Sequence, residues 1–176
     1  AIAKNFEAAG NAVNYVEHET DATLDEVVVL AVPYPAVDDV ISRYKYQLDG
    51  KIVVDITNPL NFETWDELVV RADGSAASEI QKKLPNSKVV KGFNTNFAGT
   101  LASGKVSGEI PTVVLLASDF ADAKEQLITA LKDSPLTVVD AGSLKRAREL
   151  EAFGFLQMTL AVKEEITWAG GFGIVK

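Results

Sequence analysis

The sequence predicts an α/β fold in which a doubly wound, mostly parallel sheet lies between two layers of helices. Short runs rich in Val, Ile and Leu recur along the chain, and they are too uniformly apolar for strands with one wet face. Segments with helical periodicity stand between these runs. Because strands and helices alternate, right-handed crossovers onto one parallel sheet are expected.

The most informative stretch is 26–35, which reads Glu-Val-Val-Val-Leu-Ala-Val-Pro-Tyr-Pro. Its six consecutive apolar residues predict a strand covered by helices on both faces. Pro33 ends this strand because proline has no N–H to donate to a neighbouring strand. Ligands of open α/β sheets bind beyond the carboxyl ends of the strands, so the active surface is expected to pass over 32–35. The helix that follows shows its apolar face at Val37, Val40, Ile41, Tyr44 and Leu48.

The remaining elements follow from the same two periodicities. Further strands are predicted at 11–17, 51–56, 88–93, 112–117 and 136–140, and further helices at 1–9, 75–84, 119–132 and 143–168. The segment 94–108, which contains three glycines, is predicted to be a loop. All of this fits one domain over 1–176, with the C-terminal helix 143–168 packed on it.

Composition excludes several classes of function. The formal net charge of −8 argues against nucleic acid or an anionic membrane as a partner, since both require a basic face. No stretch approaches the ~20 apolar residues of a membrane helix. Cysteine is absent and His18 is the only histidine, so neither thiolate chemistry nor a histidine metal cluster is expected. A cytoplasmic protein without a metal site is therefore predicted.

Three predicted strands end in short polar or proline-containing turns, at 32–35, 57–59 and 93–95. In a parallel sheet these turns share one edge, where backbone groups no longer pair with a neighbouring strand. Asn58 and Asn94 add amide side chains that both donate and accept hydrogen bonds. Such a row of groups suits a long ligand with phosphates, riboses and a carboxamide. The alternative is that these residues are simply good turn and cap formers.

Five stretches, in this order, make the chain resemble the family of NADP-dependent coenzyme F420 oxidoreductases and their dinucleotide-binding relatives. They are 28–33 (Val-Val-Leu-Ala-Val-Pro), 52–59 (Ile-Val-Val-Asp-Ile-Thr-Asn-Pro), 90–95 (Val-Lys-Gly-Phe-Asn-Thr), 140–144 (Asp-Ala-Gly-Ser-Leu) and 147–151 (Ala-Arg-Glu-Leu-Glu). The resemblance implies a Rossmann-like sheet. That family begins with a strand and a Gly-x-Gly-x-x-Gly-type loop, which places the pyrophosphate at the first helix N-terminus. Here 1–9 matches that helix, so the strand and loop are expected to have been trimmed from this sequence.

The resemblance favours NADP as the cofactor, whereas one local feature favours NAD. At the end of the second strand the chain has Glu17-His18-Glu19, where NADP-binding members offer Ser, Arg or Lys. A carboxylate can accept hydrogen bonds from the ribose hydroxyls of NAD and would repel a 2′-phosphate, although a protonated His18 could meet that phosphate. A solvated polar loop is the alternative. The predicted cofactor-binding residues are Glu17, His18, Val32, Pro33, Tyr34, Val37, Asn58, Pro59, Phe93, Asn94 and Thr95.

The predicted function is hydride transfer between NADP(H), or NAD(H), and a second small molecule. The resemblance implies a flavin-like or deazaflavin-like acceptor. Hydride transfer between two rings depends mainly on their placement and needs little acid or base from the protein, so no catalytic residue is assigned. A non-catalytic nucleotide-sensing or partner-binding domain is the alternative. An imine or β-hydroxyacid reductase would need an acid near the nicotinamide, and Lys91 alternates away from Phe93.

The C-terminal helix also predicts an interface. Between 153 and 162 it is apolar nearly all round, which indicates burial on more than one side. Core packing is one explanation, and a homodimer formed through this helix is the other.

Overall fold

The computed structural model describes residues 23–175, and within that range it contains seven strands and five α-helices. In chain order they are β1 (Val27–Leu30), α1 (Val37–Leu48), β2 (Ile52–Asp55), α2 (Ala76–Lys83), β3 (Lys88–Lys91), α3 (Ala98–Ser103), β4 (Lys105–Val106), β5 (Ile110–Pro111), β6 (Val113–Ala117), α4 (Ala121–Ala130), β7 (Thr137–Gly142) and α5 (Ala147–Val162). Single 3-10 turns precede α1 and α5. The elements predicted at 1–9 and 11–17 lie outside the described residues.

Five of these strands form one sheet in the order β1-β2-β3-β6-β7. Strands β1, β2 and β3 are parallel, with Leu30, Asp55 and Lys91 in register at their carboxyl ends. Strand β6 joins β3 in antiparallel orientation through Lys91 and Ala117, and β7 lies parallel to β6. The predicted doubly wound, mostly parallel sheet is thus confirmed, but the expectation of parallel crossovers throughout is wrong at β6.

The antiparallel contact follows from the path of the chain after β3. The side-chain amide of Asn96 donates a hydrogen bond to the carbonyl of Val113 at 2.9 Å, which holds the start of β6 beside the turn that follows β3, and the end of β6 then pairs with the end of β3. The chain therefore re-enters the sheet at the edge where it left. The intervening segment, predicted as a loop, contains α3 and the β4–β5 hairpin.

Helices cover both faces of the sheet, as strand β2 shows most clearly. Val53 packs into a core formed with α1 and α2, whereas Ile52 and Val54 pack on the opposite face with α4. Alternation along a strand sends successive side chains to opposite faces, so a continuous apolar run is what two covered faces require. In β1 the prediction of two covered faces is wrong at Val29, whose side chain is 50% exposed. Strand β1 is the last strand at one end of the described sheet, which explains this exposure.

The C-terminal helix is shorter than predicted. Ser143 makes no side-chain cap bond; instead the carboxylate of Asp119 accepts a hydrogen bond from the N–H of Leu144 at 3.0 Å. Helix α5 ends at Val162 because Glu164 adopts a φ of 61°, in the left-handed region. Between residues 23 and 175, no helix combines the length and apolar character that a bilayer span requires.

Candidate functional site

The three turns predicted as a site lie at one edge of the sheet. Because Leu30, Asp55 and Lys91 are in register, the residues that follow them leave the sheet side by side. This arrangement of the backbone is what the sequence predicted. The turn after β1 is closed by a 2.9 Å hydrogen bond from the N–H of Ala36 to the carbonyl of Pro33.

The residues of this first turn differ in their accessibility. Pro33 is exposed, and Val32 and Tyr34 are half-buried against the core beneath them. Val37 is fully buried in that core, and its N–H bonds to the carbonyl of Tyr34. Pro33 and Pro35 are therefore the exposed residues of this turn, while Val37 supports the turn from below.

Tyr34 connects the first turn to helix α2. Its hydroxyl donates a hydrogen bond of 2.8 Å to the carboxylate of Glu79. Burial, followed by the effect of the Glu79 carboxylate, raises the pKa of Tyr34 well above its usual value. The phenol therefore stays protonated across the physiological range and serves to fix the turn rather than to exchange protons.

Asn58 and Asn94 form a reciprocal pair across the second and third turns. The amide nitrogen of Asn94 donates to the Asn58 side-chain oxygen at 3.1 Å, and that of Asn58 donates to the Asn94 carbonyl at 3.3 Å. The Asn94 amide nitrogen also donates to the carbonyl of Leu150 on α5 at 2.9 Å. Asn94 is buried and Asn58 half-buried, so Asn58 is the more accessible member of the pair.

The turn after β3 has an uncommon backbone conformation. Phe93 has a φ of 63°, in the left-handed region that bulky residues rarely adopt. Such outliers persist where the surrounding structure enforces them, and they cluster at ligand sites. Thr95 is buried, and its carbonyl accepts a hydrogen bond from Gln157 at 3.2 Å. Pro59, in the neighbouring turn, is also buried.

A cavity of about 330 Å³ opens beside this asparagine pair. Its polar lining includes Asn58, Asn94 and Asn96, and its apolar lining includes Phe97, Met158 and Trp168. The rings of Phe97 and Trp168 pack with centroids 4.9 Å apart. The side-chain oxygens of Asn94 and Asn96 are buried without a hydrogen-bond partner among the described residues. These two acceptors fit a group with N–H donors, such as a carboxamide, and the aromatic wall fits a flat ring.

A buried ionic cluster lies directly beneath this edge. The ammonium of Lys91 is 2.9 Å from an oxygen of Asp55 and 3.0 Å from one of Glu151, and it donates to the carbonyl of Thr57 at 2.6 Å. Glu151 also accepts the N–H groups of Ala76 and Ala77 at the start of α2. Burial outweighs the attraction of Lys91 and raises the pKa of Glu151.

This ionic cluster was not predicted, although the sequence contains a signal for it. Asp55 and Lys91 each follow two buried valines at the end of a strand, and a charge inside a buried strand requires a partner. What the sequence could not provide is the partner itself, because Glu151 lies 60 residues further along the chain from Lys91. Lys91 is 0% exposed, so it does not face a ligand as the acid of an imine reductase would.

Two predicted residues, Glu17 and His18, lie outside the described part of the chain. For the part that is described, no cluster of His, Cys, Asp or Glu side chains could hold a metal ion. The other residues predicted to bind the cofactor lie at or next to one edge of the sheet. Their roles as cofactor ligands stay predictions.

Comparison with known proteins identifies similar sequences. A family model described as NADP oxidoreductase, coenzyme F420-dependent, matches residues 1–59. The chain is 30% identical over 152 residues to the F420-dependent NADP reductase of Methanocaldococcus jannaschii, covering 84% of this chain and 67% of that protein. It is also 30% identical over 179 residues to the F420-dependent NADP reductase of Methanothermobacter thermautotrophicus, covering 97% of this chain and 76% of that protein. A more distant relative, human Metalloreductase STEAP2, is 27% identical over 151 residues, which cover 84% of this chain but 28% of that protein.

Solved structures with a similar fold also include an F420-dependent NADP reductase. A crystal structure assigned as an F420-dependent NADP reductase from Arthrobacter sp. FB24 superposes with a TM-score of 0.76 at 29% identity, covering 86% of this chain and 69% of that one. An imine reductase from Myxococcus stipitatus has a TM-score of 0.51 at 17% identity, a likeness of fold alone. The chain thus spans about two thirds of the F420-dependent NADP reductases that it matches.

The fold together with these relatives defines the class as an NADP-dependent oxidoreductase built on a Rossmann-type sheet. The predicted fold and enzyme class are thereby confirmed. Within that class, the chain belongs to the coenzyme F420-dependent NADP oxidoreductase family, as its similarity to the Methanothermobacter thermautotrophicus reductase over nearly its whole length shows.

Proposed function

We propose that this chain binds NADP(H) along the shared edge of β1, β2 and β3 and passes hydride to or from a second small molecule. The observation that carries the proposal is the cavity beside Asn58 and Asn94, which combines buried unpartnered acceptors with an aromatic wall. The bound dinucleotide supplies the hydride chemistry. The protein then has to hold two rings in contact and keep water out.

The proposed roles of the predicted residues follow the order of the three turns along the edge of the sheet. Val32, Pro33 and Tyr34 border the adenosine and ribose path, with Val37 beneath them. Asn58 continues this path, with the buried Pro59 behind it, and Phe93, Asn94 and Thr95 border the nicotinamide end. The buried acceptor oxygen of Asn94 suits the carboxamide. Glu17 and His18 are proposed to meet the adenosine ribose and its phosphate, with NADP preferred because the family uses it.

The acceptor is proposed to be a flat ring system of the flavin or deazaflavin type. The aromatic pair Phe97 and Trp168 supports this choice, because offset stacking on aromatic side chains favours flat ligands. The Methanocaldococcus jannaschii relative is named for coenzyme F420, whereas STEAP2 is named as a metalloreductase. The names of the relatives therefore do not point to one common acceptor. A domain that senses the nucleotide without turnover remains the rival function.

We also propose a homodimer that forms through α5. Phe153 and Leu156 present apolar side chains on the outside of this helix, and Phe153 packs against Phe172 with ring centroids 4.9 Å apart. Single exposed apolar residues are ordinary, whereas a group of them on one helix marks an interface. A cytoplasmic location and a single domain over 1–176 stay predictions.

The decisive experiment uses Asn58→Ala, because Asn58 is the accessible member of the asparagine pair. We expect NADPH binding, followed by fluorescence titration, to weaken about tenfold, the loss typical of one or two hydrogen bonds. Oxidation of NADPH in the presence of a deazaflavin should slow in parallel. The matched control is Asn86→Ala, an exposed asparagine before β3 at the opposite edge of the sheet.

Thermal unfolding of both variants separates loss of a ligand contact from loss of the fold. If Asn58→Ala binds NADPH as the wild type does, the cofactor does not lie along this edge. If NADPH binds but no acceptor accelerates its oxidation, the sensing function replaces the catalytic one.

A further inference from the structure

A second cleft, separate from the sheet-edge cavity, gathers positive charge from four segments of the chain. Arg71 lies in the loop before α2, Lys82 on α2, Lys145 in the turn before α5, and Arg148 on α5. We name this group the basic cleft. It has a volume of about 560 Å³, and the acidic residues in its lining are Asp73 and Glu79. This concentration stands out because the chain has 25 acidic and 17 basic residues.

Two of these cations have no carboxylate partner within the described part of the chain. Arg71 pairs with Asp73 at 3.2 Å, and Arg148 pairs with the neighbouring Glu149 at 2.9 Å. Lys82 and Lys145 are exposed and pair with no carboxylate of residues 23–175. Lys82 acts on the Asp73 carboxylate only through space, and within residues 23–175 neither lysine is held in an ion pair. Both ammonium groups therefore face one space from two different elements.

The remaining acidic residue of the lining, Glu79, is engaged elsewhere. Its carboxylate accepts the hydroxyl of Tyr34 at 2.8 Å, on the side of α2 that faces the first turn. The start of α2 is also occupied, because Glu151 accepts the N–H groups of Ala76 and Ala77, and Ser75 accepts that of Ser78. Any anion in the cleft would consequently be held by the basic side chains and not by the helix terminus.

We propose that the basic cleft binds a small polyanion, a molecule that carries two or more phosphate or carboxylate groups. Four cations around a space of this size exceed what one monoanion needs, and Arg fits phosphate and carboxylate oxygens in bidentate geometry. The basic cleft and the sheet-edge cavity share no lining residue, so the two spaces are distinct, and the cleft borders the proposed cofactor path only through the hydrogen bond between Glu79 and Tyr34.

The test is isothermal titration calorimetry of the full chain with inorganic pyrophosphate and, separately, with citrate. We expect the wild type to bind at least one of these probes with an affinity that falls as salt is raised, since exposed charges are screened. The double substitution Lys82→Glu and Lys145→Glu should weaken binding by roughly tenfold or more, because it replaces attraction by repulsion at two positions. Tighter binding of pyrophosphate identifies a phosphate ligand, and tighter binding of citrate a polycarboxylate.

The matched control carries Lys132→Glu and Lys163→Glu, which change the net charge equally at two exposed lysines outside the cleft. This control should bind as the wild type does, and saturating NADPH should leave probe binding unchanged. The proposal is overturned if the wild type binds neither probe, or if the two double variants weaken binding equally. It is also overturned if NADPH competes with the probe, because the anion would then occupy the cofactor site.

Discussion

Lys91 joins the ends of β2 and β3 to helix α5 at the edge of the sheet that carries the predicted site. Its ammonium is enclosed by Asp55, Glu151 and the carbonyl of Thr57, and its side chain is 0% exposed. By holding Thr57 it fixes the start of the turn that presents Asn58. Lys91 is the one cation that contacts both buried carboxylates, so its attraction is divided between Asp55 and Glu151.

That shared cation gives the stability of the fold a pH dependence that Glu151 controls. The pKa of Glu151 is raised above its ordinary 4.5, chiefly by burial. The folded state therefore binds the proton of the Glu151 carboxyl more tightly than the unfolded state does. The stabilisation of the fold by protonated Glu151 is complete below pH 4.5. It is lost as pH rises through the higher pKa of the folded state. Each pH unit between the two pKa values corresponds to about 1.4 kcal/mol.

We expect Glu151→Gln to remove this dependence, because glutamine does not ionise. The measurement is urea unfolding of both proteins between pH 4.5 and neutral pH. The advantage of the wild type over the variant should shrink as pH rises. Glu125→Gln, at an exposed position on α4, is the control and should keep a constant difference from the wild type. A constant difference for Glu151→Gln as well would show that Glu151 is ionised equally in both states.

Helix α5 approaches the asparagine pair closely because it has a glycine at the point of contact. A Cβ at Gly154 would lie 2.7 Å from the side-chain oxygen of Asn58 and 2.8 Å from the carbonyl of Asn94. A backbone carbonyl cannot move aside as the end of a flexible side chain can. The helix and the two turns are therefore fitted to each other through this residue.

Gly154→Ala should consequently destabilise the protein, even though alanine favours a helix by about 1 kcal/mol over glycine. Overpacking of this kind typically costs about 1–3 kcal/mol, so a net loss is expected together with weaker NADPH binding. Urea unfolding and the fluorescence titration measure the two effects. Gly74→Ala is the control, because its Cβ would meet its nearest neighbour at an ordinary 3.6 Å. A more stable Gly154→Ala variant would show that α5 can shift without disturbing the turns.

At the scale of the whole molecule, the proposed homodimer has its interface on the outer surface of α5. Leu156 is 50% exposed in the middle of this helix. If the proposed dimer forms there, Leu156→Glu should convert it to a monomer, because a buried unpaired carboxylate would replace apolar contact. Light scattering coupled to size-exclusion chromatography gives the mass directly.

The control for the dimer is Tyr46→Glu, at a side chain on α1 that is 91% exposed. It should leave the mass unchanged. A wild type that is already monomeric at micromolar concentration would contradict the dimer. So would a Leu156→Glu variant that remains dimeric.

The sequence alone predicted the parts of this fold that depend on local patterns. The apolar runs located β2, β3 and β6, since a strand covered on both faces has an apolar centre instead of alternating polar and apolar side chains. Proline and asparagine after the strands located the turns at 32–35, 57–59 and 93–95, because these residues end pairing locally. The end of α5 was missed because it depends on the left-handed conformation of Glu164, which no periodicity encodes.

Only the tertiary structure decided the features that join distant parts of the chain. Strand β6 runs antiparallel to β3, with Asn96 bonded to Val113 at its start, and the ionic cluster joins Asp55 and Lys91 to Glu151. The basic cleft likewise combines residues 71, 82, 145 and 148. Local propensity acts within a few residues, so the sequence determined the elements and their turns. Pairing of charges and close approach of backbones act across the folded chain, so they became visible only when the elements were packed together.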